Sequence, residues 1–310
     1  MIGLRLRSII VALGIVAFAV GAPASSSTSP SASLDLVLAP KPVVTEGSRV
    51  LASARFENNG AGRLTQVTIS FQIPPGSFEF ASPADGCSAN SAGTVVSCEI
   101  GKVRGGETAE QFVALTAPTG TAEAEVRAKA TFREDHGVPR TDVDTIGLAA
   151  AGDPDAVGTC ASGAGTIATG ATSGEGNPQS TSVAFGESPD LPCTPISVGE
   201  QERTPDNPGC PPAETCTTQV SFVTVPALPK PALVTISFER ELLPPGTKPK
   251  NFVLWETPDK YPAQPIRRVE ACPLRAGEDS CIVKVTKYRK KGIQVVLEVT
   301  GSGEDPRYAG

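Results

Sequence analysis

Cysteine carries the most direct chemical signal in this sequence, through both its number and its spacing. Eight are present: Cys87, Cys98, Cys160, Cys193, Cys210, Cys216, Cys272 and Cys281. Thiols can hold a metal or pair with one another. Structural zinc wants cysteines two to four residues apart, or a cysteine–histidine mixture. No Cys-x-x-Cys occurs, and His136 is the only histidine. The spacing therefore predicts disulfides, with no metal and no cofactor. Cys87 and Cys98 enclose 10 residues, Cys210 and Cys216 five, and Cys272 and Cys281 eight. Local pairing of each leaves Cys160 to Cys193, which is one of about 105 connectivities open to eight cysteines.

Other chemistry finds little footing. There is no G-x-S-x-G elbow, no phosphate-binding loop and no dinucleotide glycine fingerprint. His136 sits in the polar stretch from Arg133 to Pro139, which reads as an exposed turn. Two carboxylates at the right separation suffice for a glycosidase. Glu134 with Asp135, and Glu239-Arg240-Glu241, are pairs by proximity, with Trp255 and Tyr261 as nearby aromatics. Solvated strand ends account for them more simply. Asp142 and Asp144, or Asp153 and Asp155, offer oxygens at alternate positions, as Ca²⁺ prefers. Neither stretch completes a calcium loop, so both are predicted to be solvent-facing turn residues. Lys284, Lys287, Arg289, Lys290 and Lys291 form a basic cluster. Such a cluster can touch an anionic polymer, or it can shield a sheet edge from aggregation, and the second role is favoured.

The ends of the chain set its address. Arg5 and Arg7 precede an uncharged apolar run from Ile9 to Val20, and Ala22-Pro23-Ala24 offers small residues for cleavage. This predicts a secretory signal peptide cut after Ala24. The run is shorter than the roughly 20 residues of a spanning helix, so no integral membrane segment is expected after cleavage. Disulfides suit the oxidising compartment that export reaches. From Ser25 to Cys216 the chain has 11 basic and 23 acidic residues, and from Thr217 onward 14 and 10. That balance argues against a nucleic-acid partner.

The elements that must position these residues read as strands. Gly and Pro make up 60 of the 310 residues (31 and 29), a composition that favours turns over long helices. Apolar residues alternate at Leu34, Leu36 and Leu38, then at Val50, Ala52, Ala54 and Phe56. Val67, Ile69, Phe71 and Ile73 follow, then Val96, Cys98 and Ile100. Phe112, Ala114 and Thr116 form a further stripe, and Val126, Ala128, Ala130 and Phe132 the last. About seven short strands between turn signals predict an all-β sandwich. Residues 148–180 are rich in Gly, Ala, Ser and Thr and read as a linker, with a strand near Gly165 to Thr169. Strands resume at Ser182 to Phe185 and Ile196 to Val198. Ala232 to Phe238 is another, with Leu233, Thr235 and Ser237 facing one way. A closing hairpin runs from Ile282 to Thr300, with Ile293, Val295, Leu297 and Val299 inward and Gly292 in the left-handed turn position.

The order of an Asn-x-Gly element, a PPGSF turn, Cys87 and the stretch GTVVSCEIGKVRGGETAEQFVALTAP resembles an immunoglobulin-like repeat of bacterial secreted and surface proteins. The resemblance covers about residues 34–147. It implies an immunoglobulin-like β-sandwich acting as a spacer, stalk or adhesive module. ETCTTQVSFVTVP, FERELLPPGTKPKNFVLW and VEACPLRAGEDSCIVKVTKYRKKGIQVVLEVTGSG resemble an uncharacterised β-rich module of secreted actinobacterial-type proteins.

The sequence thus predicts a signal peptide at 1–24 and a leader at 25–33. An immunoglobulin-like sandwich at 34–147, a linker at 148–180 and a second disulfide-containing sandwich at 181–310 follow. The expected role is secreted, structural, adhesive or ligand-binding and non-catalytic. The partner is an extracellular protein or a cell-wall polysaccharide. The rival is a secreted carbohydrate-active enzyme or its accessory module.

Overall fold

Alternation at a period of two can bury one face of each strand only if a second sheet covers it, and the chain solves this twice. In the computed structural model the described residues are 32–82, 86–133, 138–151, 153, 155–169, 179–189, 191–202, 211, 216, 219–226, 228–257, 266–273, 280–289, 292–300 and 307–309. The predicted signal peptide and most of the leader lie outside them, as do Glu134, Asp135, His136, Cys210, Tyr261, Lys290 and Lys291.

The first sandwich comprises β1 (Ser33–Ala39), β2 (Val43–Thr45), β3 (Arg49–Glu57), β4 (Leu64–Gln72), β5 (Glu79–Ser82), β6 (Cys87–Ala89), β7 (Val95–Val103), β8 (Thr108–Thr116), β9 (Glu123–Arg133) and β10 (Arg140–Ala149). One sheet has the order β1-β3-β8-β5 and the other β2-β10-β9-β4-β7-β6. The opening segment splits between them, with β1 antiparallel to β3 and β2 parallel to β10. Chain crossings from β3 to β4 and from β8 to β9 give the immunoglobulin-type division of strands. Leu38, Val50, Phe56, Ile69, Phe71, Val96, Val113, Leu115 and Val126 fill the interior. In β8 the inward residues are Val113 and Leu115, not the predicted Phe112 and Ala114. Both faces of that strand are apolar because its outer face is also covered, as described below.

The second sandwich comprises β11 (Ala156–Ala161), β12 (Gly165–Ala168), β13 (Gln179–Phe185), β14 (Thr194–Glu202), β15 (Gln219–Thr224), β16 (Ala232–Phe238), β17 (Trp255–Thr257), β18 (Arg267–Arg268), β19 (Ser280–Tyr288), β20 (Gly292–Val299) and β21 (Arg307–Ala309). Its sheets run β11-β14-β15-β21-β17-β18 and β12-β13-β16-β20-β19. Val234, Ile236, Phe238, Ile293, Val295 and Leu297 are fully buried between them. Leu233 is on the opposite, exposed face, as its parity predicts. Gly292 serves a different purpose from the one predicted. A Cβ there meets Phe238 O at 2.4 Å, and Arg289 takes the left-handed conformation at φ 42°.

The segment predicted as a linker carries β12, the strand expected near Gly165 to Thr169, and also β11, which was not expected. At Gly158 the small residue is required because another surface lies against it. The Pro40-Lys41-Pro42-Val43 segment crosses the outer face of β15, β14 and β11. On that face Thr224, Ser197 and Gly158 are cross-strand neighbours. Thr224 Oγ1 and Ser197 Oγ both donate to Lys41 O, at 2.6 and 2.7 Å. Gly158 N donates to Thr45 Oγ1 at 3.1 Å. A Cβ on Gly158 stands 2.0 Å from Val43 O, so only glycine permits the approach. Beside this strap, Leu51, Ala39 and Phe112 pack on Leu191 and on buried Cys160 and Cys193. The two sandwiches are thus docked through this strap and the Leu51, Cys160 and Cys193 cluster.

Candidate functional site

Three disulfides brace the frame: Cys87–Cys98, Cys160–Cys193 and Cys272–Cys281. Cys216 is also disulfide-bonded. Cys87 and Cys98 face each other across β6 and β7. Cys160–Cys193 spans 33 positions, a loop whose closure stabilises by about 3–4 kcal/mol in the chain-entropy account.

A groove of about 590 Å³ opens on the outer face of β4, β7 and β9. It arises from a break in β4. Thr65 opposes Lys102 on β7 and Arg133 on β9. Thr68 opposes Glu99 and Thr131. Between these rows β4 places Gln66 and Val67 against the single residue Phe132 of β9, which is a β-bulge. Gln66 takes φ 52°, a left-handed conformation that costs a non-glycine residue about 1–2 kcal/mol. Bulges of this kind re-aim side chains near binding sites.

The bulge separates two rows of unlike charge. In one, Lys102 and Arg133 flank Thr65; in the other, Glu99 lies beside Thr68. Lys102, Arg133 and Glu99 are exposed, and their side chains make no hydrogen bond or ion pair with a described residue. Thr65 Oγ1 donates to Arg133 O at 3.4 Å. Two strand spacings place the cations about 10 Å apart at their Cα atoms. Lys129 and Arg127 continue the positive line along the outer face of β9, opposite Ser70 and Gln72 of β4. No aromatic ring lines the groove. The arrangement suits an anionic group held between two cations, with hydroxyls alongside.

A second polar assembly lies inside the other sandwich. Glu200, Ser221, Tyr308 and Glu256 form one cross-strand row over β14, β15, β21 and β17, and all four are buried. Thr169 Oγ1 donates to Glu200 Oε1 at 2.7 Å, Thr181 and Ser221 share a hydroxyl contact at 2.7 Å, and Gln179 Nε2 donates to Ser221 Oγ. Glu256 Oε2 accepts from Arg267 Nε at 2.9 Å and from Ser280 Oγ at 3.0 Å. Three strand spacings put the Cα atoms of Glu200 and Glu256 about 14 Å apart, and each carboxylate is bonded to neighbouring side chains.

The residues singled out from sequence scatter. Asp142 and Asp144 lie in β10 rather than in a turn, and their oxygens are used within the sandwich. Asp142 Oδ2 accepts from Leu36 N at 2.8 Å, and Asp144 Oδ2 from Leu38 N at 2.7 Å, so the pair clasps the edge of β1. Lys41 Nζ bonds Asp144 at 2.8 Å. Asp153 Oδ1 accepts from Asp155 N at 2.8 Å, a local turn. Glu239 pairs with Arg289, while Arg240 Nη1 donates to Leu243 O at 2.7 Å. Lys284 and Lys287 are exposed on β19, the outermost strand of its sheet, where a bulge interrupts the register at Val283. That is the edge-protecting arrangement. The groove residues Gln66 and Lys102 and the buried Glu200 and Glu256 were missed. Parity signals them: Leu64 and Val67 are buried three apart within a strand, and Glu200 continues the inward series Ile196, Val198.

No family model matches the sequence, and no curated protein matches it either. Among solved structures, a cohesin module of a family 33 glycoside hydrolase from Clostridium perfringens aligns at 11% identity over 40% of this chain and 100% of that one, with a TM-score of 0.32. The collagen-binding domain of a Staphylococcus aureus adhesin aligns at 9% identity over 39% and 99%, TM-score 0.26. An uncharacterised Nocardia farcinica protein with an immunoglobulin-like fold aligns at 15% identity over 37% and 96%, TM-score 0.26. The sandwich architecture follows from the sheet order itself. No described helix is long and apolar enough to cross a membrane.

Proposed function

We propose that this chain is a secreted, non-catalytic binding protein whose first sandwich holds an anionic cell-wall polysaccharide in the bulged groove. One observation carries the reading: Lys102 and Arg133 flank Thr65 with no partner for either charge among the described residues. Cations left uncompensated on a rigid sheet attract an anion without rearrangement of the protein. Exposed charges are screened within about 8–10 Å at physiological salt, so a polymer with repeated charges is held better than a single ion. The hydroxyls of Thr65, Thr68, Ser70 and Thr131 suit a partner that is itself rich in hydroxyls. Export is supported by the leader and by the disulfides, which belong to an oxidising compartment.

Cosedimentation of the mature chain with carboxylated and with neutral cell-wall polysaccharide tests the proposal. Wild-type protein is expected to bind the carboxylated polymer, to lose affinity as salt rises, and to release no sugar. The Lys102→Glu, Arg133→Glu double variant is expected to lose about tenfold or more, each charge contact contributing on the order of 1 kcal/mol. Undiminished binding by the double variant removes the groove from the function. Hydrolysis of either polymer overturns the non-catalytic reading. Binding restricted to acidic peptides replaces the polysaccharide with a protein partner.

A further inference from the structure

We propose that Cys272, Cys281 and Glu298 form a divalent-metal site of the zinc class that opens when the Cys272–Cys281 bridge is reduced. The two sulfurs and a carboxylate oxygen of Glu298 all lie within 4.8 Å of one another. Cys281 and Glu298 are directly opposed on β19 and β20. Glu298 makes no hydrogen bond or ion pair with a described residue, so its carboxylate is uncommitted beside the bridge.

The backbone keeps these groups in place without the sulfur–sulfur bond. Cys272 N donates to Ile282 O at 3.0 Å, and Ile282 N donates to Glu270 O at 2.8 Å. Ala271 and Ile282 form a parallel bridge between these bonds. Reduction therefore leaves two thiols and a carboxylate facing one another across a short gap. A tetrahedral zinc ion takes thiolates at about 2.3 Å and a carboxylate oxygen at about 2.0–2.2 Å.

A low-molecular-weight thiol is the reductant. Cys272 is partly exposed and Cys281 is fully buried, so the attacking thiolate reaches the Cys272 sulfur and the Cys281 thiolate leaves. A second thiol resolves the mixed disulfide. The products are the Cys272 and Cys281 thiols and one disulfide of the reductant. Two thiolates beside Glu298 place three negative charges together, a state that needs a cation. The metal supplies it, displacing the two thiol protons as it binds and leaving a fourth position for water. Oxidation and metal occupancy exclude each other, so the site reports both redox state and metal supply.

The test uses the mature chain, mildly reduced with a small dithiol under native conditions, with Co²⁺ as a spectroscopic stand-in for zinc. Thiol-directed mass spectrometry identifies the opened bridge, and Trp255 fluorescence monitors the fold. The expected result is one Co²⁺ per chain with a thiolate-to-cobalt charge-transfer band. The band is absent before reduction and absent in Cys272→Ser, Cys281→Ser. Glu298→Gln is expected to reduce normally and to bind about tenfold or more weakly. Reduction at Cys272 and Cys281 without cobalt uptake overturns the proposal. So does a bridge that resists the dithiol in folded protein, a band that survives loss of both cysteines, or an affinity indifferent to Glu298.

Discussion

The two sandwiches solve the same burial problem with different interiors. Among the described residues, Asn58 is the one buried polar residue of the first. It closes a turn, its amide nitrogen donating to Gly62 O at 2.8 Å and Val103 O at 3.1 Å and its Oδ1 accepting from Gly60 N at 3.0 Å. Every other buried polar or charged side chain belongs to the second, including Glu200 and Glu256. An apolar interior is held by packing alone and tolerates an irregular surface such as the Gln66 bulge. A polar row is held by directional bonds, each costly to leave unmade, so it fixes strand register at the expense of tolerance. The groove proposed for binding lies on the first kind of frame and the Cys272–Cys281 bridge on the second.

Three substitutions break or sharpen this contrast. Trp255 is the only tryptophan and lies in β17, so its fluorescence follows the second sandwich, while circular dichroism follows both. The largest effect is expected for Phe71→Ala. It empties a fully buried site between the sheets of the first sandwich and should cost about 3–5 kcal/mol. In urea, the dichroism transition should split, its early part unaccompanied by a change at Trp255. A Trp255 signal that moves by the same amount would show that the interiors are not separate. Glu256→Ala ranks second. It strips Arg267 and Ser280 of their shared acceptor and should cost about 2–3 kcal/mol, read directly at Trp255. A cost below about 0.5 kcal/mol would make the polar row ornamental. The smallest effect on stability is expected for Gly158→Ala, since the chain can escape the clash with Val43 by separating the sandwiches. Overpacking by one methyl costs about 1–3 kcal/mol when it cannot be relieved. Small-angle scattering should show a larger radius of gyration with each sandwich intact. An unchanged radius would place the strap elsewhere.

Much of the architecture is legible in the sequence because a period of two is a local property. The alternating stripes at Val50 to Phe56 and Ile293 to Val299 identify their buried faces directly. The three bridges Cys87–Cys98, Cys160–Cys193 and Cys272–Cys281 join cysteines that spacing had grouped. What depends on distant partners is not legible in this way. Phe112 reads as inward because it is large and apolar, yet its cover comes from a segment about 80 residues away. Gly158 reads as linker because smallness looks like flexibility, when here it marks contact. Asp142 and Asp144 read as turn residues because nothing nearby in sequence shows that β1 offers them two N–H groups. The groove lies between these cases: the three-residue step from Leu64 to Val67 is visible, but the convergence of Lys102 and Arg133 on Thr65 needs the sheet.

β21 lies between β15 and β17, near the middle of a six-stranded sheet, and is made by residues 307–309. A chain emerging N-terminus first can finish β1 to β10 early, but its later sheet stays in two halves until β21 is delivered. Tyr308, fully buried, acts as a keystone between the halves. Closure of that sheet therefore hangs on a three-residue strand, so damage to β21 should loosen both halves at once.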